Sequence, residues 1–524
     1  MLVPPKSLLG FGATLLTLRT SRRLRRAGSG PAEQAAAWRE LGHALSQTSF
    51  GRQHGLHEKI TPAQWRERLV PRRYEHFVPY VERMQRGEEN VLWPGRCRAF
   101  AMTSGTTAAP KVLPVTEALV RHFHQAAFRS LLHYSARVGD TGIFRGRHLL
   151  LGGTSHLTPL PQGGEATDIT GLLVRHLPGW VEQHLYEPGL DVAQVPDWSK
   201  RLDAILERTR RRDITVLAGQ PNWLLALTQA ALGRETDRRE RTSNLQTLWP
   251  KLECLVHSGV PLAPYAEQLR QAAGPRVTFH EVYGATEGVI AAQEIESAAG
   301  LRLLTDVGLF FEFIPLADFD TGRLDALGPK AVPLEGVQAK TDYVVLVTTP
   351  AGLCRYVLGD IVRFVSVNPP RLVLVGRTTL QMNALGEGTH ERELTEALTA
   401  VCQRHHWRIV NFHVAPYFGA AGAHPTRGCH EWWIELKPGT VETPTGPVIA
   451  QELDVELRRS APRYETRRNA GTLEPPVARL VMPGVFEQWL RDSSRWGGQH
   501  KMPRCRSDRL IAEELGRLAP YSAH

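Results

Sequence analysis

Apolar positions along this chain change their spacing in blocks. Near the N-terminus, PAEQAAAWRELGHAL and YEHFVPYVERM place them three and four apart, the spacing of helices with one buried face. Short apolar runs follow: HLLLGG, ITVLAG, LECLVHSG and VTFHEVYG. Each reads as a strand and ends in glycine or small residues. Between them, WLLALTQAAL and YAEQLRQAAG return to helical spacing. Such alternation predicts an α/β sheet with ligand loops at the carboxyl ends of its strands. A β-rich portion comes next: LRLLTDVGLFFEFIPL, YVVLVTT, DIVRFVSV and RLVLVG. After about Arg377 the pattern restarts. HERELTEALTAVCQRH, AQELDVELRRS and GVFEQWLRD read as helices, and RIVNFHVAPYF, HEWWIELKP and VARLVMP as strands. The expectation is therefore α/β: a large N-terminal domain over 1–379 and a small α+β domain over 380–524, joined near GRTTLQMNALGEG. LFFEF reads equally well as an aromatic pocket wall and as a core strand.

Composition adds little to that picture. Of 524 residues, 42% are hydrophobic and 22% charged, as in ordinary globular proteins of more than one domain. The net charge of +10 is concentrated in short runs, RRLRR, RTRRRD and DRRER. Solvated helix faces and loops account for such runs, no nucleic-acid-binding signature accompanies them, and no nucleic-acid partner is expected. The six cysteines are scattered and form no C-x-x-C pair, which suits a reducing cytoplasm better than a disulfide scaffold. The histidines of CQRHHW and GCHEWW fit no standard metal spacing. SLLGFGATLLTL is too short to span a bilayer and lacks the charge order of a signal peptide. It reads as a helix that either packs on the protein or grazes a membrane surface.

Chemistry enters at TSGTTAAPK. Thr103, Ser104, Thr106 and Thr107 surround Gly105, and Lys111 follows. Hydroxyls, backbone N–H groups at a glycine turn and an ammonium are what a phosphate requires. The spacing is not that of the common phosphate loop, whose second glycine directly precedes its lysine. Three further stretches have a use beside phosphates. HSGVPLA carries Ser258, Gly259 and Val260 after a strand. VYGATEG carries Tyr283, Gly284, Thr286 and Glu287, and GLCRYVLGDIV places Asp360 in a turn between two strands. A tyrosine face can stack on adenine, an ionised aspartate can accept both hydroxyls of a ribose, and a glutamate beside phosphates suits Mg²⁺. Singly, each pattern is as readily structural as functional.

Together, and in this order, they resemble the adenylate-forming superfamily of acyl-CoA synthetases and luciferase. TSGTTAAPK looks like its phosphate loop, SGVPL like its adenine-side turn, YGATEG like its tyrosine–glutamate motif and YVLGD like its ribose aspartate motif. TSFGRQHGL, AGQPNWLLAL, LWPKLECLVHSG, TTPAGLCRYVLGDIVRF and GGQHKMPRC narrow the resemblance to the auxin-responsive (Gretchen Hagen type) acyl-acid amido synthetases, from about Thr48 to Cys505. Ala108, Val357 and Cys354 depart from the superfamily's usual glycine, arginine and tyrosine.

The resemblance implies a ligase using ATP and Mg²⁺. A carboxylic acid is converted to an acyl-adenylate, and the acyl group then passes to an amine, typically of an amino acid. Tyr283 would stack on adenine opposite Ser258–Val260. Asp360, with Arg377, would hold the ribose, and Glu287 would ligate Mg²⁺. Lys501 would be the catalytic lysine that the small, mobile domain carries in by rotation near Leu380–Asn383. The acid would lie among the segments 122–132, 151–173 and 309–313. Two alternatives share these motifs: an acyl-CoA ligase, with a thiol in the second step, and a non-catalytic nucleotide-binding regulator.

Overall fold

One eleven-stranded sheet organises the larger part of the molecule. The computed structural model describes residues 6–24, 30–103, 111–233, 244–320, 322–378, 381–382, 387–418, 428–437, 444–492 and 502–519. In chain order its first strands are β1 (Ala99–Thr103), β2 (Lys111–Val115), β3 (Arg147–Leu150), β4 (Thr158–Pro159), β5 (Glu165–Thr167), β6 (Tyr186–Glu187), β7 (Ile214–Gly219) and β8 (Cys254–Ser258). There follow β9 (Thr278–Ala285), β10 (Gly288–Ala292), β11 (Leu301–Leu303), β12 (Phe310–Pro315), β13 (Asp342–Thr348), β14 (Tyr356–Val367) and β15 (Pro370–Arg377). The large sheet has the order β12-β13-β14-β15-β11-β10-β9-β8-β7-β3-β6, and β2-β1-β5-β4 form a separate small sheet.

The large sheet has two wings. From β6 through β3, β7 and β8 to β9 all pairings are parallel. From β9 onward they are antiparallel. Parallel strands are covered on both faces, so they read as unbroken apolar runs; Ile214, Val216 and Leu217 of β7 are all buried. β9 stands where the pairing changes from parallel to antiparallel. LFFEF forms β12 and is core. Phe311 and Phe313 are fully buried, with the Phe313 ring 5.0 Å from that of Phe364.

Helices lock around this sheet by identifiable caps. The helix Glu117–Val138 starts at Thr116, whose side chain accepts the Leu119 N–H, and ends at Gly139 in the left-handed region. YEHFVPYVERM is not one helix but a short 3₁₀ turn, Tyr74–His76, followed by an α-helix, Val78–Gln85. Pro79 explains the break, since it sits readily in a helix's first turn and not in its interior.

The N-terminal apolar stretch lies in a helix, Lys6–Leu24, that packs along Glu117–Val138. Its inward face is small and polar, with Ala13, Thr17 and Thr20 buried, whereas Phe11 is 73% and Leu18 53% exposed. Arg23 pins its end by bridging Glu33 and Asp306. No helix among the described residues is long and apolar enough to cross a membrane.

Beyond β15 come β16 (Gln381–Met382), β17 (Thr389–His390), β18 (Ile409–Tyr417), β19 (Cys429–Leu436) and β20 (Val477–Val481). The order β18-β19-β20 makes a three-stranded sheet whose core joins Phe412 and Trp432 to Leu394, Leu398, Leu453 and Leu457 of two helices, Glu391–Arg404 and Gly446–Ser460. This unit touches the larger one where the helix Glu391–Arg404 packs on β15 and on the Ala263–Tyr265 turn, and also through Arg504. Its guanidinium stacks on Phe412 and donates a 2.9 Å hydrogen bond to the Tyr265 hydroxyl, just beyond the SGVPLA turn.

Candidate active site

A tight hairpin brings the tyrosine–glutamate motif to the centre. Ala285 pairs with Gly288, so β9 and β10 are joined by Thr286 and Glu287 alone. Tyr283 and Gly284 thus lie within β9 rather than after it. Glu287, at the hairpin tip, is nevertheless buried. Burial raises its carboxyl pKa, and the Lys111 ammonium opposes that rise.

The lysine is supplied by the first residue of β2 and its partner by the first residue of β14. Lys111 Nζ donates a 3.0 Å hydrogen bond to the Tyr356 hydroxyl and lies 5.8 Å from the Tyr74 ring centroid. Tyr356 in turn faces Glu287. Burial first, then the charge and hydrogen bonding of that carboxylate, hold the Tyr356 phenol well above its ordinary pKa. Ammonium, neutral phenol and carboxylate therefore form one chain, Lys111–Tyr356–Glu287, with the phenol between opposite charges.

Asp360 does not occupy a turn between two strands, as the sequence suggested, but lies inside β14. The misreading came from Gly359, whose φ of +85° belongs to a bulge. Val357 pairs with Leu346 and Ile361 with Val344, so Leu358–Asp360 stand opposite Val345 alone. The bulge aims Asp360 at two partners. Tyr283 donates to its Oδ2 at 2.6 Å, and Arg377 Nε, directly across on β15, donates to its Oδ1 at 2.8 Å. Burial and the Asp360 charge raise the Tyr283 pKa well above its usual range, and Asp360 raises that of Arg377. Arg377 and Tyr283 also feel Glu287, so the two groups of residues form one electrostatic cluster.

Beside it, Ser258 ends β8 and pairs with Val282 on β9. Gly259 follows at φ +88°, a turn that glycine adopts without strain, and Val260 is part-buried. A Cβ on Gly284 would come within 3.9 Å of Ser258 Oγ, so the two motifs abut. Thr103 ends β1 opposite Lys111. Ser104, Gly105, Thr106, Thr107, Ala108, Leu380, Asn383 and Lys501 lie outside the described residues.

Two participants escaped sequence reading. Tyr356 stands inside the quoted YVLGD, where attention fell on the aspartate. Its neighbour Arg355 is fully buried and ion-paired with Glu312 at 2.9 Å. Arg355 also donates to the carbonyls of Leu69, Arg66 and Gly328, which fixes the strand end carrying Tyr356. Its position beside a motif tyrosine was the available signal.

A two-winged sheet, a small C-terminal unit and a cluster at the β9–β10 junction together define the fold of the adenylate-forming synthetases. The structure superposes on that of AtGH3.15 acyl acid amido synthetase in complex with 2,4-DB, covering 96% of each chain at a TM-score of 0.75 and 17% identity. A 2-hydroxyisobutyryl-CoA ligase in the postadenylation state aligns over 93% of this chain and 91% of that chain, with a TM-score of 0.55 and 16% identity. Both likenesses are of fold. Within that class, the models of the GH3 family N-terminal, central and C-terminal domains match residues 31–206, 302–377 and 392–510. The chain belongs to the GH3 family. It is 26% identical over 321 residues to a probable indole-3-acetic acid-amido synthetase of Oryza sativa subsp. japonica, covering 54% of this chain and 51% of the relative. A jasmonoyl–L-amino acid synthetase of Nicotiana attenuata is 32% identical over 151 residues, covering 27% of this chain and 25% of the relative. The chain thus spans about half or less of the length of these curated relatives.

Proposed function

We propose that this chain is an ATP-dependent acyl-acid amido synthetase. Residues 111, 283, 287, 356, 360 and 377 come from four strands and a hairpin turn, and their convergence in one cluster carries the reading. The carboxylate of the acid attacks the α-phosphorus of ATP, giving acyl-adenylate and pyrophosphate. The amine of an amino acid then attacks the acyl carbon and expels AMP.

The Tyr283 ring and the Ser258–Val260 turn flank the adenine. Asp360 keeps lone pairs for ribose hydroxyls after meeting Tyr283 and Arg377, since a carboxylate has about four acceptor sites. Thr103–Thr107 and Lys111 hold the leaving phosphates. Among the described residues no group of three His, Cys, Asp or Glu side chains is arranged to hold a metal alone. One buried carboxylate beside phosphates is a common protein contribution to a Mg²⁺ site, and Glu287 fits it. When bound, Mg²⁺ neutralises phosphate charge. The protein's share of catalysis is positioning and preorganised charge. We further propose that residues 380–524 rotate as a mobile domain and that this motion carries Lys501 to the reacting phosphate. The free, buried cysteines suit a cytoplasmic setting.

The test is acid-dependent ATP–pyrophosphate exchange over a panel of carboxylic acids, then product analysis with amino acids and with coenzyme A. Exchange followed by an N-acyl amino acid is expected. An acyl thioester instead would make the chain a CoA ligase. Absence of exchange with every acid would leave a nucleotide-binding regulator.

A further inference from the structure

The helix Lys6–Leu24 is sided the opposite way from one that only packs on a protein. Such a helix turns its large apolar residues inward. Here Ala13, Thr17 and Thr20 are buried where it packs on the helix Glu117–Val138, and Phe11, Leu15 and Leu18 are exposed. At about 100° per residue, Phe11, Leu15, Leu18 and Arg22 fall within about 60° of arc, roughly half a turn from the buried three. Arg19, also exposed, lies on the flank of this strip.

Charge along the segment has one sign. Residues 1–32 contain Lys6, Arg19, Arg22, Arg23, Arg25 and Arg26 and no aspartate or glutamate. Arg23 is engaged by Glu33 and Asp306, which fix the helix to the body of the protein, whereas Arg19 and Arg22 face solvent. Thr14 lies beside Thr141, and the carboxylate next to it, Asp140, turns back onto the Thr141 and Gly142 N–H groups. The strip is therefore a convex apolar ridge that ends in guanidiniums. An anionic bilayer matches it: apolar side chains enter the acyl boundary and guanidiniums stay among the phosphates. The net charge of +10 favours approach to such a surface. Pairing with its own copy would instead bring two strips of the same sign together.

We propose that the outward face of this helix docks the protein on an anionic lipid surface. Phe11, Leu15 and Leu18 enter the headgroup–acyl boundary, and Arg19 and Arg22 pair with lipid phosphates. The helix lies along the surface, since none among the described residues is long and apolar enough to cross a membrane. Docking is independent of the adenylation reading, because the face shares no residue with the nucleotide cluster.

The experiment is co-sedimentation of the purified full chain with vesicles of equimolar phosphatidylcholine and phosphatidylglycerol, and with vesicles of phosphatidylcholine alone. Binding to the anionic vesicles is expected, and binding about tenfold or more weaker to the neutral ones. Phe11→Ser with Leu18→Ser should weaken it about tenfold or more, and Arg19→Gln with Arg22→Gln by a similar factor. The proposal is overturned if wild-type protein does not sediment with the anionic vesicles, if neutral vesicles bind it equally, or if the folded serine pair binds as wild type. A dimer that the serine pair dissolves, without vesicle binding, would overturn it in favour of a second copy. Should the serine pair fail to fold, Phe11→Trp decides: brominated phosphatidylglycerol must quench the added emission, and an unquenched indole overturns the proposal.

Discussion

The hydroxyl of Tyr283 and the carboxylate of Asp360, 77 residues apart, meet at 2.6 Å inside the molecule. One comes from the strand where the sheet changes direction, the other from a bulge in the antiparallel wing. Tyr283→Phe would leave a buried carboxylate oxygen short of a donor. It is expected to cost about 1–3 kcal/mol of stability in urea unfolding and to weaken ATP binding, because Asp360 loses one of its two orienting bonds. Unchanged unfolding together with unchanged ATP affinity would refute this.

Asp360→Ala removes the ribose acceptor itself. ATP binding should fall by on the order of 3 kcal/mol, about a hundred-fold or more in Kd, in a protein whose circular dichroism is unaltered. Equilibrium binding of a nucleotide analogue measures it directly, and a folded variant with wild-type affinity would place the ribose elsewhere.

Glu287→Gln neutralises the far end of the Lys111–Tyr356–Glu287 chain. It should slow acyl-adenylate formation more than aminolysis of a supplied acyl-adenylate. Single-turnover measurement of both steps separates the roles, since an equal loss in each would mark Glu287 as structural.

Arg355→Ala is expected to destabilise by about 3–5 kcal/mol, because it strands the Glu312 carboxylate in the core. Replacing both residues by methionine should recover most of that loss, since the uncompensated charge disappears. Denaturant unfolding of the two variants gives the comparison; similar losses in both would show that the bonds to Leu69, Arg66 and Gly328 matter more than the charge.

Acid should loosen the structure through its buried histidines. His122 lies 2.7 Å from the Val307 carbonyl and accepts the Val289 N–H at 2.9 Å, so the neutral ring serves both. Burial pushes its pKa down to about 4 from 6.5. Between those values the unfolded chain binds more protons than the folded one, so stability falls as pH drops through the window. The contribution is on the order of 3 kcal/mol. His122→Gln should show a shallower decline between about pH 6.5 and 4, while His148 and His257, also held near 4, keep part of the slope. Parallel slopes in wild type and variant would exclude His122.

Much of this was visible in the sequence, for physical reasons. β7 announces itself because a strand covered on both faces must be apolar throughout. The helices Glu391–Arg404 and Gly446–Ser460 show because each buries a single face. Asp360 and Glu287 stood out because their neighbours form ordered motifs, and the structure brings the two into one electrostatic cluster. The bulge was not: glycine and aspartate read as a turn, and only pairing with β13 reveals a continuous strand. The small sheet of β1, β2, β4 and β5 was hidden because its strands run from two to five residues. The Arg355–Glu312 pair spans 43 positions, and no local pattern couples residues so distant.

The chain crosses from the larger unit to the smaller one after β15, and Arg504 adds a directional attachment at Tyr265. The helix Glu391–Arg404 also packs on β15 and on the Ala263–Tyr265 turn. The rotation proposed above would require the Arg504–Tyr265 bond to open together with that packing. A hydrogen bond of this kind contributes about 1 kcal/mol net, a bias of roughly fivefold, enough to favour one orientation without trapping it. Were the smaller unit to rotate as proposed, two side chains that need touch no substrate would act as a catch on its release.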